Sequence, residues 1–202
     1  MEKGSVDDIW TFQTVGTPFP SNVVKAPGET NKYVALWYKH GKPVMGRAWN
    51  DSGVVQCTFV LDDKVYSGPD IGGMIQLLVL DPSDRKRSFF YDWMPYKKAK
   101  SLSKEGNCEM VRCQHSVPGY SPEQGLLGCV NTEKLTAQFV DSEMRMKTLN
   151  QVEDLLVLVR VSRKESIEKE KSSTNLSINS RMPTIVNDWE DFNWGGNWPI
   201  NN

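Results

Sequence analysis

Apolar and polar residues alternate along much of the chain between about residue 30 and residue 162, with the two-residue period of β-strands. The segment Tyr33–Tyr38 is apolar on both faces, which indicates a strand in the middle of a sheet. Further strands are predicted at Val44–Trp49, Val54–Leu61, Ile75–Leu80, Ser88–Tyr96, Glu133–Val140 and Leu155–Val161. Sustained helical periodicity is weak in this region. The pattern therefore predicts a mainly β fold built from antiparallel sheets.

The same order of parts occurs twice, about 80 residues apart. Tyr33–Leu80 and Met110–Leu158 each contain an alternating strand, a proline, a glycine, a second alternating strand, a polar turn and an apolar run. Aligning the copies pairs His40 with His115, Pro43 with Pro118, Gly46 with Gly128, Phe59 with Phe139, and Leu77–Leu80 with Leu155–Leu158, with an insertion between the proline and the glycine of the second copy. Because one such unit cannot bury its apolar face alone, we expect two pseudo-symmetric halves in one domain.

Changes of composition divide the chain into four segments. Residues 1–30 contain several glycines and prolines and predict an irregular lead-in. Residues 31–162 form the two-part β domain. Residues 163–182 are rich in Lys, Glu, Ser and Asn, which is typical of a linker, and residues 183–202 form an acidic, tryptophan-rich tail. Because it has so little to bury, the C-terminal region is expected to be disordered.

Charge and hydropathy narrow the class of protein. The formal net charge is −1, so no overall positive field attracts nucleic acid or an anionic membrane. No apolar run approaches the length needed to span a bilayer, and the first residues lack the apolar region of a secretory signal. We therefore expect a cytoplasmic protein whose four cysteines, Cys57, Cys108, Cys113 and Cys129, are reduced.

The common signatures of catalysis are missing from the sequence. There is no Gly-x-Ser-x-Gly elbow, phosphate-binding glycine loop or dinucleotide-binding motif. Only two histidines occur, His40 and His115, and the repeat places both beside turns, which favours a structural role. The sequence therefore predicts a protein that is not an enzyme, with no catalytic residue and no cofactor.

A zinc site is a second possible chemistry, since Cys108, Cys113, His115 and Cys129 are residue types that bind zinc. Their spacing fits no common zinc motif well. In the repeat, Cys129 aligns with Arg47, a position that carries no metal ligand in the first copy. Buried or surface cysteines without metal are the favoured interpretation, and no metal site is predicted.

The stretch 85–104 combines positive charge with aromatic residues. A possible basic surface is formed by Arg85, Lys86, Arg87, Lys97, Lys98 and Lys100, and the interleaved aromatic residues are Phe89, Phe90, Tyr91, Trp93 and Tyr96. Charge with aromatic faces is what single-stranded nucleic acid requires. The alternative is a strand whose aromatic side chains face the core, flanked by solvated lysines. The absence of any RNA-binding motif favours this alternative and argues against a nucleic-acid partner.

The tail carries the most distinctive candidate for partner binding. Trp189, Phe192, Trp194 and Trp198 lie close together among acidic residues, with no basic residue nearby. Tryptophan is a common hot spot of protein interfaces, so the segment is typical of a docking peptide. Folding of this segment back onto its own domain is an open alternative.

Several segments resemble one family of proteins. They are KYVALWYKHGKPVMGRAWND, VVQCTFVLDDKVYSG, IGGMIQLLVL and FFYDWMPYKK in the first half, and EMVRCQHSVP, LLGCVNTEKLTAQF and LLVLVR in the second. They are similar to the nematode sperm cytosolic motility proteins, which promote assembly of major sperm protein filaments in the amoeboid pseudopod. The resemblance runs from about Gly16 to Val161, as a single copy of the unit. It implies a mainly β fold, no enzymatic activity, and a cytoskeletal filament as partner.

The tail suggests an alternative function. Trp194 followed by Gly195 is similar to the tryptophan-glycine hooks with which scaffold proteins bind Argonaute proteins. On this hypothesis the chain is an adaptor in a germline small-RNA complex, and the tail binds an Argonaute-type partner.

Overall fold

The computed structural model describes residues 8–80 and 88–163. These ranges contain thirteen β-strands, one α-helix and one short 3-10 helix. The elements of the first half are β1 (Ile9–Thr14), β2 (Tyr33–Lys39), β3 (Lys42–Asp51), β4 (Val54–Leu61), β5 (Lys64–Ser67), the 3-10 helix Gly68–Asp70 and β6 (Met74–Val79). Those of the second half are β7 (Phe89–Pro95), α1 (Tyr96–Lys104), β8 (Cys108–Met110), β9 (Ser116–Ser121), β10 (Leu126–Asn131), β11 (Thr136–Val140), β12 (Met146–Leu149) and β13 (Leu156–Ser162).

The two halves have the same topology. The first sheet runs β1-β6-β2-β3-β4-β5, and the second runs β7-β13-β9-β10-β11-β12, so equivalent strands occupy equivalent places. Every strand pair is antiparallel. β8 is an addition to the second sheet, where it pairs with β13. The prediction of a mainly β fold with two pseudo-symmetric halves is confirmed.

Strand register confirms part of the sequence alignment between the halves. Gly46 lies opposite Phe59, and Gly128 lies opposite Phe139. A Cβ atom at either glycine would overlap the neighbouring backbone carbonyl oxygen, of Thr58 or of Gln138, so glycine is required at both places. The register also makes Cys129 equivalent to Arg47, as the alignment predicts.

The alignment of histidines and prolines is wrong. Pro43 lies on β3, opposite Tyr38. Pro118 lies on β9, opposite Cys129, which makes it equivalent to Val34 on β2. The insertion predicted before Gly128 is therefore also wrong, and the halves differ instead in the segments that precede β2 and β9. Both prolines are buried in strands, but at positions that are not equivalent, so a shared proline is weak evidence for equivalence here.

The apolar run near the end of each half is displaced by two residues from the predicted alignment. Leu77 lies opposite Ala35, and the equivalent of Leu77 is Val157, which lies opposite Gly119. A shift of two residues keeps each side chain on the same face of its strand, so the sequence still predicts the correct buried face.

Each sheet has its own core on the face directed away from the other sheet. In the first half, Ala35, Trp37, Phe59 and Leu77 are among the buried residues of this core, and Phe19 packs against them. In the second half, α1 covers the corresponding face through Tyr96 and Ala99. Helix α1 is absent from the sequence prediction, and β1 lies within the segment 1–30 that predicts an irregular lead-in.

The inner faces of the two sheets pack against each other. The buried residues at their centre are Val24, Val34 and Leu78 from the first half and Val111 and Leu158 from the second, with Trp10, Tyr91 and Trp93 packed around them. Val24 donates its N–H to the carbonyl of Leu78 at 2.8 Å, and Val111 donates to the carbonyl of Leu158 at 3.0 Å. The interface between the halves is therefore pseudo-symmetric as well.

Candidate interaction surfaces

Each half sends a short segment over the other. We call residues 25–32 the first clasp and residues 112–115 the second clasp. The first clasp follows Val24 and is closed by the bridge between Lys25 and Tyr33, while the second follows Val111 and is closed by the bridge between Cys113 and Ser116. The second clasp is thus the shorter of the two.

The first clasp is bonded to the β9–β10 hairpin. Lys32 Nζ donates to the carbonyl of Gly125 at 2.7 Å and pairs with Glu29 at 2.7 Å. Tyr120 donates its hydroxyl proton to Glu29 at 2.8 Å, and Ala26 packs against Tyr120. Burial first, and then the bond to Glu29, raises the pKa of Tyr120 to about 12. The phenol is therefore a permanent hydrogen-bond donor in this contact.

The second clasp contacts the β2–β3 hairpin with fewer groups. The Tyr38 hydroxyl and the Cys113 thiol lie 2.9 Å apart. Just beyond the clasp, Ser116 Oγ donates to the carbonyl of Pro43 at 3.2 Å. The Cys113 contact first, and then burial, raises the pKa of Tyr38 to about 12.

Because the second clasp is short, it leaves part of the inner face of the first sheet uncovered. Phe12, Met74 and Tyr38 project from this face and are 60%, 56% and 47% exposed. We call these three residues the open apolar face. By strand register, the residues of the second half at the positions of Phe12, Met74 and Tyr38 are Pro95, Asp154 and Pro122, respectively. The first half alone therefore presents large apolar side chains here. The alternation of apolar and polar residues in Ile9–Thr14 is the sequence feature from which this surface could be predicted.

A cleft of about 490 Å³ lies between the two halves. The first half lines it with the start of β3 and the turn Asp62–Asp63, and the second with residues near His115 and Glu133. Asp62 and Asp63 both have positive φ, 48° and 57°, as the two-residue turn between β4 and β5 requires. The turn places both carboxylates at the mouth of the cleft.

Several polar and ionisable side chains of this cleft contact one another. Lys42 lies 3.8 Å from Asp62, and His115 lies 4.0 Å from Glu133. Gln138 Nε2 donates to Asp63 Oδ1 at 3.0 Å, which joins the two halves across the cleft. Exposed pairs of this kind stabilise a fold by only about 0–1 kcal/mol. These side chains place both positive and negative charges at the rim of the cleft, an arrangement that can bind a polar protein surface.

The thiol of the cysteine that lines the cleft is kept in its protonated, less reactive form. Cys129 lines the cleft, and burial raises the pKa of its thiol, although hydrogen bonds with Ser116 and with backbone groups of Met45 and Val117 oppose the shift. Burial also raises the pKa of Cys57 to about 12. A thiolate is the reactive form of cysteine, so these side chains are poor nucleophiles at neutral pH.

The Cys and His residues considered as zinc ligands do not come together. Cys108 is buried beside α1, where its thiol lies 3.6 Å from the carbonyl of Ala99. Cys113 contacts Tyr38, while Cys129 and His115 line the cleft. Among residues 8–80 and 88–163, no group of three or more His, Cys, Asp or Glu side chains is placed to hold a metal ion.

The basic and aromatic residues of 85–104 separate in the structure. Lys97, Lys98 and Lys100 are exposed on α1, while Arg85, Lys86 and Arg87 lie outside the described residues. Of the aromatic side chains, Phe89 and Tyr96 are buried and Phe90 is half-buried. The Tyr91 hydroxyl donates a hydrogen bond to Asp8 at 2.8 Å, and the Trp93 indole N–H donates to the carbonyl of Lys25 at 3.1 Å. This arrangement supports the interpretation of core aromatics flanked by solvated lysines.

The tail residues Trp189, Phe192, Trp194 and Trp198 lie outside the described residues. In the part of the chain that the structure describes, no helix is long and apolar enough to cross a bilayer.

Comparison with known proteins identifies a family and similar solved structures. The family model MFP2b, described as cytosolic motility protein, matches residues 7–162. The solved structure of the nematode sperm cell motility protein MFP2B is similar to this chain, with a TM-score of 0.72 and 34% sequence identity. The match covers 79% of this chain and 46% of the solved one, so this chain spans less than half of that protein's length. No protein of curated function matches the chain.

Proposed function

Because this chain belongs to the MFP2b family of cytosolic motility proteins, we propose that it is a non-enzymatic cytoplasmic protein that binds major sperm protein filaments and modulates their assembly in the pseudopod of amoeboid sperm. The observation that carries this proposal is the family match over residues 7–162, which includes both sheets and both clasps. The similarity to a nematode sperm motility protein, at 34% identity, adds support for the same cellular process.

We assign filament binding to the cleft between the halves. It is concave, both halves contribute to it, and its exposed charges are of both signs. The turn Asp62–Asp63 and the bond from Gln138 to Asp63 hold the acidic groups in place, which lowers the entropy lost when a partner binds.

A non-enzymatic role agrees with the chemistry of this cleft. Its thiol, Cys129, is held protonated by burial, and its three carboxylates, of Asp62, Asp63 and Glu133, each contact a separate partner. Such an arrangement suits recognition of a polar surface better than activation of a nucleophile.

The test is cosedimentation of the full chain with major sperm protein filaments, together with the rate of filament assembly. The wild-type chain is expected to sediment with filaments and to change the assembly rate. A variant with Asp63→Arg and Glu133→Arg should bind at least about tenfold more weakly, since each change reverses a charge at the cleft. Asp70→Arg with Glu123→Arg, two exposed carboxylates outside the cleft, is the matched control. Absence of both sedimentation and rate change would reject the proposal.

A second candidate function rests on the sequence Trp194-Gly195 in the acidic tail. We propose it as an alternative, in which the tail binds an Argonaute-type protein and the chain acts as an adaptor. Capture of Argonaute by the full chain should be lost in Trp194→Ala with Trp198→Ala and kept in Asn201→Ala with Asn202→Ala. Equal capture by all variants would remove the alternative.

A further inference from the structure

Strand β1 forms one edge of the first sheet. It pairs with β6 on one side, and no other described strand pairs with it. Alternate residues of an edge strand direct their N–H and C=O groups away from the sheet. The free side of β1 therefore has the hydrogen-bonding groups needed to accept another strand.

The strands at the other three ends of the two sheets carry features that discourage strand addition. β5 and β12 are only four residues long, and each contains a lysine, Lys64 or Lys147. β7 carries Asp92 and ends at Pro95. Strand β1, by contrast, has the six-residue sequence Ile9–Thr14 with neither a charged residue nor a proline. Charge, proline and short length are the usual protections of sheet edges, and β1 lacks all three.

A neutral strand is complementary to a second copy of itself. In an antiparallel pair with Phe12 opposite the Phe12 of the second copy, Trp10 lies opposite Thr14 and Thr11 lies opposite Gln13, so no like charges meet. Each of the strands β5, β12 and β7 would instead place a charged side chain, Lys64, Lys147 or Asp92, at the seam with an added strand. The absence of charge thus favours β1 over these three strands.

The open apolar face lies beside this edge. Phe12 is on β1 itself, and Met74 is on β6, opposite Thr14. Joining two β1 strands would place the Phe12 rings of two copies beside each other on one face of the joined sheet and would cover part of each exposed ring, which favours association. We propose that two copies of this chain associate through antiparallel pairing of their β1 strands, with Phe12 at the twofold axis.

Sedimentation equilibrium of the full chain tests this dimer. Wild-type protein at micromolar concentration should have the mass of two chains. Phe12→Lys places a charge on the free edge, and the dissociation constant should rise at least about tenfold. Met144→Lys is the matched control, because Met144 is an exposed methionine, 40% accessible, that lies away from β1. Its dissociation constant should stay within about twofold of wild type.

Circular dichroism should show the same fold in all these proteins, since both substituted side chains are exposed. Thr14→Lys, at the exposed end of β1, provides a second variant should Phe12→Lys fail to fold. A monomeric wild-type chain at tens of micromolar would overturn the proposal. So would a dimer that Phe12→Lys and Thr14→Lys leave intact, or one that Met144→Lys weakens equally.

One consequence rests on the proposed filament binding. A dimer presents the cleft twice, so it would cross-link filaments that a monomer could only bind singly. Sedimentation of the chain alone needs no filament, and a monomeric Phe12→Lys variant that still binds filaments would leave the proposed function intact. The two proposals therefore fail separately.

Discussion

Trp10 and Trp93 occupy equivalent positions in the two halves. Trp10 lies opposite Leu78 across β1 and β6, and Trp93 lies opposite Leu158 across β7 and β13. Both indoles pack against the buried cluster between the sheets that contains these leucines. The centre of the molecule is therefore built from two matching sets of residues, and equivalent substitutions should have similar effects.

We expect Leu78→Ala and Leu158→Ala each to lower the free energy of unfolding by about 2–5 kcal/mol, since both leucines are fully buried and each change leaves a cavity. Urea unfolding of the full chain measures the effect. Leu135→Ala, at an exposed turn position, should change stability by less than about 0.5 kcal/mol. A large loss from one buried leucine and a negligible loss from the other would contradict the equivalence.

Gly46→Ala and Gly128→Ala should each destabilise the fold by about 1–3 kcal/mol or more. At both positions the added Cβ meets a backbone carbonyl oxygen and the ring of the opposing phenylalanine, and the backbone cannot move aside easily. Gly72→Ala is the matched control, because a Cβ there meets nothing within 4 Å. Thermal unfolding monitored by circular dichroism separates the variants, and equal melting temperatures for Gly46→Ala and Gly72→Ala would show that the sheet relaxes.

Stability should fall in acid partly through Asp141. Hydrogen bonds from the backbone N–H of Arg145, and then from its side chain, hold the pKa of Asp141 below its usual range, against the effect of burial. A carboxyl group whose pKa is lower in the folded state stabilises the fold above its unfolded pKa. That stabilisation is lost as the pH falls through the lower, folded value.

Asp141→Asn keeps a side-chain oxygen for these bonds but cannot ionise. Its free energy of unfolding should therefore depend less steeply on pH than that of wild type between about pH 5 and pH 2. Urea unfolding at a series of pH values gives the two profiles. Parallel profiles would show that Asp141 has the same pKa in the folded and unfolded chains.

Tyr120→Phe should cost about 0.5–1.5 kcal/mol, because it removes the bond that ties the first clasp to the β9–β10 hairpin. Lys32→Met removes the neighbouring bonds to Gly125 and Glu29. The double variant should lose less than the sum of the single losses, since Glu29 joins both partners in one network. Strictly additive losses in urea unfolding would contradict this network.

The sequence predicts those parts of the fold where packing demands a particular residue. Gly46 and Gly128 align correctly because each must fit under an opposing phenylalanine. His40 and His115 do not, because turn positions beside the hairpins accept many residues. The alternation of apolar and polar residues predicts strands, but it does not predict how far the segment between two strands extends over a neighbouring sheet.

Two elements escape sequence reasoning for different reasons. Helix α1 has only nine residues, two of them buried, so its periodicity is too brief to stand out. Strand β1 alternates clearly, but the glycines and prolines that follow it indicate an irregular segment. The open apolar face depends on both β1 and the length of the second clasp, and only the folded arrangement brings these together.

The exchanged clasps bear on how the two halves fold. Either half, taken alone, would lack the cover that the other half provides and would expose its inner face to water. If the halves were separate chains, their association would depend on concentration. Covalent connection of the halves makes their assembly a unimolecular reaction, so the apolar interface between the sheets forms equally well at any protein concentration.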